Sequence, residues 1–306
     1  MLLCAGEALI DMLPRESAGG EPCFAPVAGG SVFNTAIAAA RLGTPTAFFS
    51  GLSTDLFGRR LVAALEESGV DHAPACRSAR PTTLAFVDLT EGQARYAFYD
   101  ENTAGRMLDV ADLPDDPGGV TALFLGGISL VPEPCASTYA ALALREAPRR
   151  LVMLDPNIRP GFVADEAAYR ARLERMIGAT DIVKVSDADL HWLAGPGDPT
   201  DLARRLLDRG PRIVCVTAGD KGVTAHTTSG HLAVPARPAA VVDTVGAGDT
   251  FNAGLLAGLD RHGALHKAWM DNIDEDVLEE ALELGVAAAA VTVARAGANP
   301  PWAREL

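Results

Sequence analysis

The amino-acid sequence predicts an α/β protein: a doubly wound, mostly parallel sheet with a small β layer standing off it. Three observations carry that expectation. Short apolar and β-branched runs alternate with longer stretches of helical period. One segment, 82–99, breaks the alternation by reading as a hairpin. The 306 residues are 48% hydrophobic, enough for one large domain, and no linker or internal repeat divides them.

From the N-terminus, residues 2–10 form a strand-like run that ends in Asp11. A carboxylate is thereby expected at a strand's carboxyl end, where open α/β sheets bind ligands. Residues 31–42 carry apolar residues at helical spacing and stop at Gly43 and Pro45, and 56–68 do the same before Gly69. Strands are expected at 46–51, 123–126, 151–155, 181–185 and 213–217. Runs 82–89 and 94–99, joined by Thr90-Glu91-Gly92-Gln93, read as the hairpin. With the Gly- and Pro-rich residues 11–27 it would form the small β layer, either a lid or a surface ornament. A second hairpin, 222–227 and 231–235 around Thr228-Ser229-Gly230, is expected at the sheet's edge.

Composition excludes several classes. The net charge is -14 and its signs are interspersed, so no basic stripe invites nucleic acid. The start has no cationic leader and soon reaches Glu7, and no stretch approaches 18 apolar residues, which predicts a cytoplasmic protein without a membrane partner. Cys4, Cys23, Cys76, Cys135 and Cys215 are scattered and never form CxxC, so neither a disulfide framework nor a zinc site is indicated. The histidines lack ligand spacing as well.

The stretch Asp243-Thr-Val-Gly-Ala-Gly-Asp249 runs from a Gly-rich turn directly into a helical pattern that continues through Leu259. The first amides of a helix lack intrahelical partners and lie at the positive end of its dipole, so Gly246, Ala247 and Gly248 can surround an anion such as a phosphoryl group in transfer. Asp249 would stand where an acceptor hydroxyl approaches that anion and can take its proton. A carboxylate that only complements the dipole, at about 0.3–1 kcal/mol, fits the turn equally. No GxxxxGK[ST] occurs, which argues against a P-loop NTPase, and no GxGxxG follows the first strand. In Ala28-Gly29-Gly30-Ser31-Val32-Phe33-Asn34 the glycine pair admits a ligand to the backbone. Asn34 then grips sugar hydroxyls or satisfies local backbone groups.

Gly29-Gly30 with Asn34, followed far downstream by Asp243-Thr-x-Gly-Ala-Gly-Asp249-Thr-Phe, resembles the two signatures of the ribokinase-like (PfkB) carbohydrate kinases. The similarity spans nearly the whole chain. Gly6-Glu-Ala-Leu-Ile-Asp11, Gly51-Leu-Ser-Thr-Asp55 with Phe57-Gly58, Asp155-Pro-Asn-Ile-Arg159 and Arg295-Ala-Gly-Ala-Asn-Pro-Pro301 are similar to the family's fructokinase branch. The resemblance implies one Rossmann-like, ribokinase-like kinase domain over 1–306 with a lid from about 12–28 and 80–106. Sugar would lie under the lid, ATP along the sheet's carboxyl edge, and a homodimer would form through the lid.

Carried over residue by residue, the resemblance makes Asp249 the base and Gly246, Ala247 and Gly248 the anion hole. It places Asp11, Gly29, Gly30, Asn34 and Arg159 on the sugar, with Tyr96 and Phe98 covering it. Lys184, Ser186, Thr217, Gly219 and Gly222 fall on the ATP side. Ser186-Asp-Ala-Asp189 stands where the family has Asn-x-x-Glu, leaving Asp189 to organise water around Mg2+. Asp243 and the Val245 carbonyl match a monovalent-cation loop for K+, in which Pro301 replaces a hydroxyl-bearing residue.

The expected activity is ATP-dependent phosphorylation of a small ketose, fructose to fructose 6-phosphate. The alternative acceptor is 2-keto-3-deoxygluconate, whose carboxylate Arg159 could hold. Tyr96-Ala-Phe-Tyr99, Glu101-Asn-Thr-Ala-Gly-Arg106 and Ala296-Gly-Ala-Asn-Pro-Pro-Trp302 are more similar to fructokinases. A phosphosugar would need more cations near the lid than Arg95 and Arg106, and nucleosides rank lower still. A silent sugar-binding protein or a nicotinamide dehydrogenase is opposed by the intact 246–249 turn.

Overall fold

The computed structural model of the protein describes residues 1–90, 93–116 and 118–306. In chain order its strands are β1 (Leu2–Ala5), β2 (Leu9–Glu16), β3 (Pro22–Gly29), β4 (Thr46–Phe49), β5 (Gly51–Ser53), β6 (Cys76–Ser78), β7 (Thr83–Thr90), β8 (Gln93–Tyr99), β9 (Ala122–Gly126), β10 (Leu151–Asp155), β11 (Ile182–Ser186), β12 (Ile213–Thr217), β13 (Val223–His226) and β14 (His231–Val234). Its α-helices are α1 (Ser31–Arg41), α2 (Leu56–Glu67), α3 (Cys135–Glu146), α4 (Glu166–Ile177), α5 (Asp187–Ala194), α6 (Pro199–Leu207), α7 (Ala247–Arg261) and α8 (Glu275–Val293).

An eight-stranded sheet runs in the order β14-β13-β12-β11-β10-β9-β1-β4. The pairs from β12 to β4 are parallel, and β13 and β14 close the other edge as the expected antiparallel hairpin. Its central strands are covered on both faces, which is why they read as continuous apolar runs such as ALFLG, LVMLD and IVCVT. The order reverses between β1 and β9, so the crevice outside their carboxyl ends is where such a sheet binds ligands. Helix α1 packs on α7 and α7 on α8. Gly254 lies against Gly285 and Gly258 against Ala281, so the α7 and α8 backbones approach closely and the N-terminus of α7 is fixed over the sheet's carboxyl edge.

The second sheet has four strands in the order β3-β2-β7-β8. Prolines fit it because Pro22 and Pro26 lie on the edge strand β3, and Pro14 of β2 falls beyond the Leu9–Met12 stretch that pairs with β7. The turn expected at Thr90-Glu91-Gly92-Gln93 lies, at Glu91 and Gly92, outside the described residues, as does the side chain of Arg95.

Two strand expectations are corrected. The single strand over 2–10 is two strands in different sheets, because β1 ends at Ala5 and the chain turns through Gly6-Glu7-Ala8 before β2 begins. Val32 and Ser129 occupy the space a side chain at Gly6 would need, and the Glu7 carboxylate accepts from Ser31 N at 3.0 Å and Ser129 N at 3.3 Å. Asp11 therefore sits in the second sheet, opposite Val27 and Ala85, and not at the carboxyl end of a main strand. The single strand over 46–51 is also two, since β5 leaves the main sheet after Ser50 to pair with β6.

Candidate active site

Gly246 caps α7 in the left-handed region at φ 78°, where a side chain would be strained and would also strike Ala298. Ala247 and Gly248 begin the helix, so their amides lack intrahelical partners; Ala247 N turns back to Thr244 O at 3.3 Å, while Gly248 N has no protein acceptor among the described residues. Asp249, third in the helix and 8% exposed, lies just behind them. Its Oδ2 accepts from Asn34 Nδ2 at 2.9 Å, and its Oδ1 has no protein partner among the described residues. Burial pushes its carboxyl up to about 7, with Asp155 and Glu7 adding to the rise, while the Asn34 hydrogen bond and Lys184 oppose it. A carboxyl that titrates near neutrality is matched to accepting a proton from an alcohol.

A polar cavity of about 320 Å³ opens before Asp249. Asp11, Gly30, Asn34, Arg159 and the second-sheet residues Tyr96 and Phe98 all line it. Asp11 is raised to about 6 by burial, and its side chain lies across Gly29, where a Cβ would collide with it. Gly29 thus acts by giving Asp11 room and not by lining the cavity. Tyr96 stacks on Phe98 at 5.9 Å, and Phe98 meets Phe162 at 4.7 Å. Burial, and then Asp11, raises the Tyr96 phenol.

A second, mainly apolar groove of about 650 Å³ meets the first at Thr244 and Gly248. Thr217, Gly219, Gly222 and Ala247 line it, backed by Val223, Phe251, Val286 and Val293. Lys184, expected on that side, lines the polar cavity instead. Its Nζ donates to Asp155 Oδ2 at 3.0 Å. Burial works to lower the ammonium, but Asp155 outweighs it and holds the pKa above the ordinary lysine value.

Ser186 and Asp189 line neither cavity. They form a capping box on α5, and the Asp189 carboxylate also accepts from Ile158 N at 3.0 Å, so both its oxygens have protein donors. Asp243 accepts from Val245 N at 3.0 Å and Gly297 N at 2.9 Å, drawing the C-terminal segment against the turn.

Sequence reasoning did not single out Glu7, Asn157 or Asn252. Glu7 and Asn157 line the polar cavity, and Asn252 binds Asp155 beneath it. The charge of Glu7 within an apolar run was a usable signal. Asn252 had none, because its partner Asp155 is distant in sequence, whereas Asn157 stands inside the Asp155-Pro-Asn-Ile-Arg159 motif, two residues from Asp155.

A pocket with desolvated carboxylates and an apolar groove, joined at the N-terminus of α7, can bring an alcohol and a polyphosphate to one point. That combination defines a small-molecule phosphotransferase. A model described as pfkB family carbohydrate kinase matches residues 1–304, and the chain belongs to that family. It is 52% identical over 278 residues to a fructokinase of Rhizobium leguminosarum bv. trifolii, covering 91% of this chain and 85% of that protein. The structure of a fructokinase with bound ATP from Xylella fastidiosa superposes with TM-score 0.89 at 29% identity, covering 97% of this chain and 93% of that one. A fructokinase from Vibrio cholerae O395 in its fructose, ADP and calcium ion bound form gives TM-score 0.85 at 26% identity, with 97% and 94% covered.

Proposed function

We propose that this chain transfers the γ-phosphoryl group of ATP to a hydroxyl of fructose, giving fructose 6-phosphate and ADP. The observation that carries the reading is Asp249 itself, one oxygen held by Asn34 and the other without a protein partner among the described residues, beside the junction of the two cavities. The sugar occupies the polar cavity, where Asp11 accepts from its hydroxyls and Asn34 and Arg159 flank it. The nucleotide lies along the apolar groove with its γ-phosphate at the start of α7. Asp249 removes the proton as the sugar oxygen bonds to phosphorus and the bond to the ADP oxygen breaks. The amides of Gly246, Ala247 and Gly248, with Lys184, take up the charge on the phosphoryl oxygens.

No group of three His, Cys, Asp or Glu among the described residues forms a metal cage. Mg2+ would arrive on the nucleotide and keep phosphate and water as its main ligands, with Asp189 ordering the Ile158 loop against α5. When bound, the ion neutralises phosphate charge. Asp243 and the Val245 carbonyl are the proposed K+ ligands, with the 295–301 segment held close by the Gly297 hydrogen bond.

The second sheet serves as the lid over the sugar, and the chain works as a homodimer through that sheet's outer face. Phe24 and Tyr99, 48% and 63% exposed, flank Phe86 there in edge contacts. The reaction belongs in the cytoplasm, where ATP is supplied. No helix among the described residues is long and apolar enough to cross a membrane.

Arg106 is committed to Asp100 at 3.1 Å and to the Glu133 carbonyl, which weighs against a phosphosugar acceptor. Arg159, hydrogen-bonded only to nearby carbonyls among the described residues, keeps 2-keto-3-deoxygluconate as the second reading. ADP release measured over fructose, 2-keto-3-deoxygluconate, ribose and fructose 6-phosphate decides. The highest kcat/KM is expected with fructose. A higher value with the keto acid selects the second reading, and turnover with none removes the kinase assignment.

A further inference from the structure

Lys184 is the one charge in the buried strand Ile182–Ser186, and it is exposed only where it lines the polar cavity. A methyl group placed on Gly248 would lie 3.0 Å from its Nζ. The ammonium is thus held close beside the second residue of α7. What holds it is Asp155, at the carboxyl end of β10.

Asp155 is 1% exposed and lines neither cavity, so it touches neither substrate directly. All its described partners are protein groups, and they come from three separate pieces of the fold. Oδ2 accepts from Lys184 Nζ of β11 at 3.0 Å and from Asn252 Nδ2 of α7 at 2.7 Å. Oδ1 accepts from Asn157 N at 3.1 Å. Asn252 is fully buried and lies one helical turn beyond Asp249. Asn157 holds φ 41°, unusual for a residue with a side chain, and with Arg159 it carries the loop that lines the polar cavity.

A buried ion pair is rarely worth more to stability than apolar side chains of the same volume, so packing alone gives little reason for one here. What the pair does supply is fixed geometry: one carboxylate sets the lysine, the base-bearing helix and the acceptor loop relative to each other. Building on the kinase reading above, we propose that Asp155 is a positioning residue for phosphoryl transfer, holding the Lys184 ammonium, α7 and the Asn157–Arg159 loop in the register that in-line attack requires.

Misplacement of reacting groups by about 1 Å lowers turnover by about 100-fold. Asp155→Asn keeps the shape and removes the charge. Its kcat is expected to fall about 10- to 100-fold, with KM for fructose and for ATP each within about threefold of wild type. The acid limb of its kcat/KM profile should move to lower pH. Asp249 then loses one like charge, while Lys184 still attracts it and Glu7 remains as the other carboxylate facing it. That shift reports the lost charge, whereas a fall in kcat at nearly constant KM reports the lost positioning, and a residue needed only for folding would not produce that split.

The double variant Asp155→Leu/Lys184→Met replaces the pair with apolar bulk. It is expected to melt close to wild type while turning over no faster than Asp155→Asn. If Asp155→Asn does not fold, Asn252→Leu leaves the ion pair intact, and about a tenfold loss of kcat at unchanged KM supports the proposal.

Wild-type kcat in Asp155→Asn, in Asn252→Leu or in the double variant would overturn it. So would recovery of Asp155→Asn in tenfold higher Mg2+, which would make Asp155 a metal ligand. An inactive wild type would instead defeat the kinase reading itself, and the two failures are distinguishable because the wild type is assayed beside each variant.

Discussion

The polar cavity measures about 320 Å³ and presents ionisable side chains: Asp11, Asp249, Lys184, Glu7 and Arg159. The adjoining groove, about 650 Å³, presents mainly backbone at Gly219, Gly222 and Gly248 and aliphatic side chains at Val223, Val286 and Val293, with charge only at the exposed Asp220 and Arg237. They share Gly248, yet they hold their ligands by different physics. In the first, carboxylates are driven toward neutrality by burial, Asp249 to about 7 and Asp11 to about 6, so each is sensitive to one proton or one hydroxyl. In the second, shape and main-chain groups predominate, and its buried walls carry no ionisable side chain among the described residues. Acceptor recognition should therefore fail residue by residue, and donor recognition should erode gradually.

The largest expected effect is at Asp249. Asp249→Asn should lower kcat by about 100-fold or more and leave binding of both substrates within severalfold, as read by single-turnover and titration measurements. Near-wild-type turnover would remove Asp249 as base and, with it, the contrast between the two regions. In the wild type, kcat/KM should fall about tenfold per pH unit below about pH 7 as the carboxylate protonates. The sign for stability is the reverse. A carboxyl whose pKa is raised by folding stabilises the native state fully below its unfolded value near 4, and this contribution is lost as pH rises through about 7. Asp249→Asn should accordingly melt a few degrees higher than wild type at pH 8, with the gain vanishing toward pH 4.

That trade of stability for chemistry was readable in part from the chain alone. The 243–256 stretch announced a helix-opening anion site because its glycines, its carboxylate and its helical pattern are contiguous. The strands 151–155 and 213–217 were readable because burial on both faces leaves an unbroken apolar run. Contacts between distant residues were not. Asn34 lies 215 positions from Asp249, and Asn252 lies 97 from Asp155. The break after Ala5 was hidden because Glu7, a helix-capping carboxylate in three dimensions, interrupts an otherwise apolar run only once. The Gly- and Pro-rich segment that became β2 and β3 carried loop composition, since an edge strand and an unpaired strand end tolerate proline.

The next effects sharpen the boundary between the regions. Gly246→Ala places a Cβ 2.6 Å from that of Ala298 and strains the left-handed cap. Displaced helix amides should cost about 10- to 100-fold in kcat, less than the roughly 100- to 1,000-fold that follows outright removal of one oxyanion donor. A loss confined to KM for ATP would mean that the turn binds the nucleotide without stabilising the transferring group. Asp11→Asn comes next. Hydrogen bonds to a charged acceptor are worth about 1.5–3 kcal/mol, so KM for the sugar should rise at least about tenfold while KM for ATP stays unchanged. A matching change in KM for ATP would show that the two cavities do not act separately.

The smallest effect should come from the groove. The Thr217 hydroxyl donates to Val185 O at 3.4 Å, a long bond that its loss would scarcely disturb, and the neighbouring glycines offer main-chain groups that a side-chain change leaves in place. Thr217→Val keeps the shape of the side chain and removes only the hydroxyl. KM for ATP should rise about twofold, with kcat and KM for the sugar at wild-type values, since one neutral hydrogen bond contributes about 0.5–1.5 kcal/mol and this one is weak. A tenfold or larger rise would mean that Thr217 contacts the nucleotide directly through its hydroxyl. The donor side would then read its ligand through individual side chains, as the acceptor side does, and the distinction between the two regions would be lost.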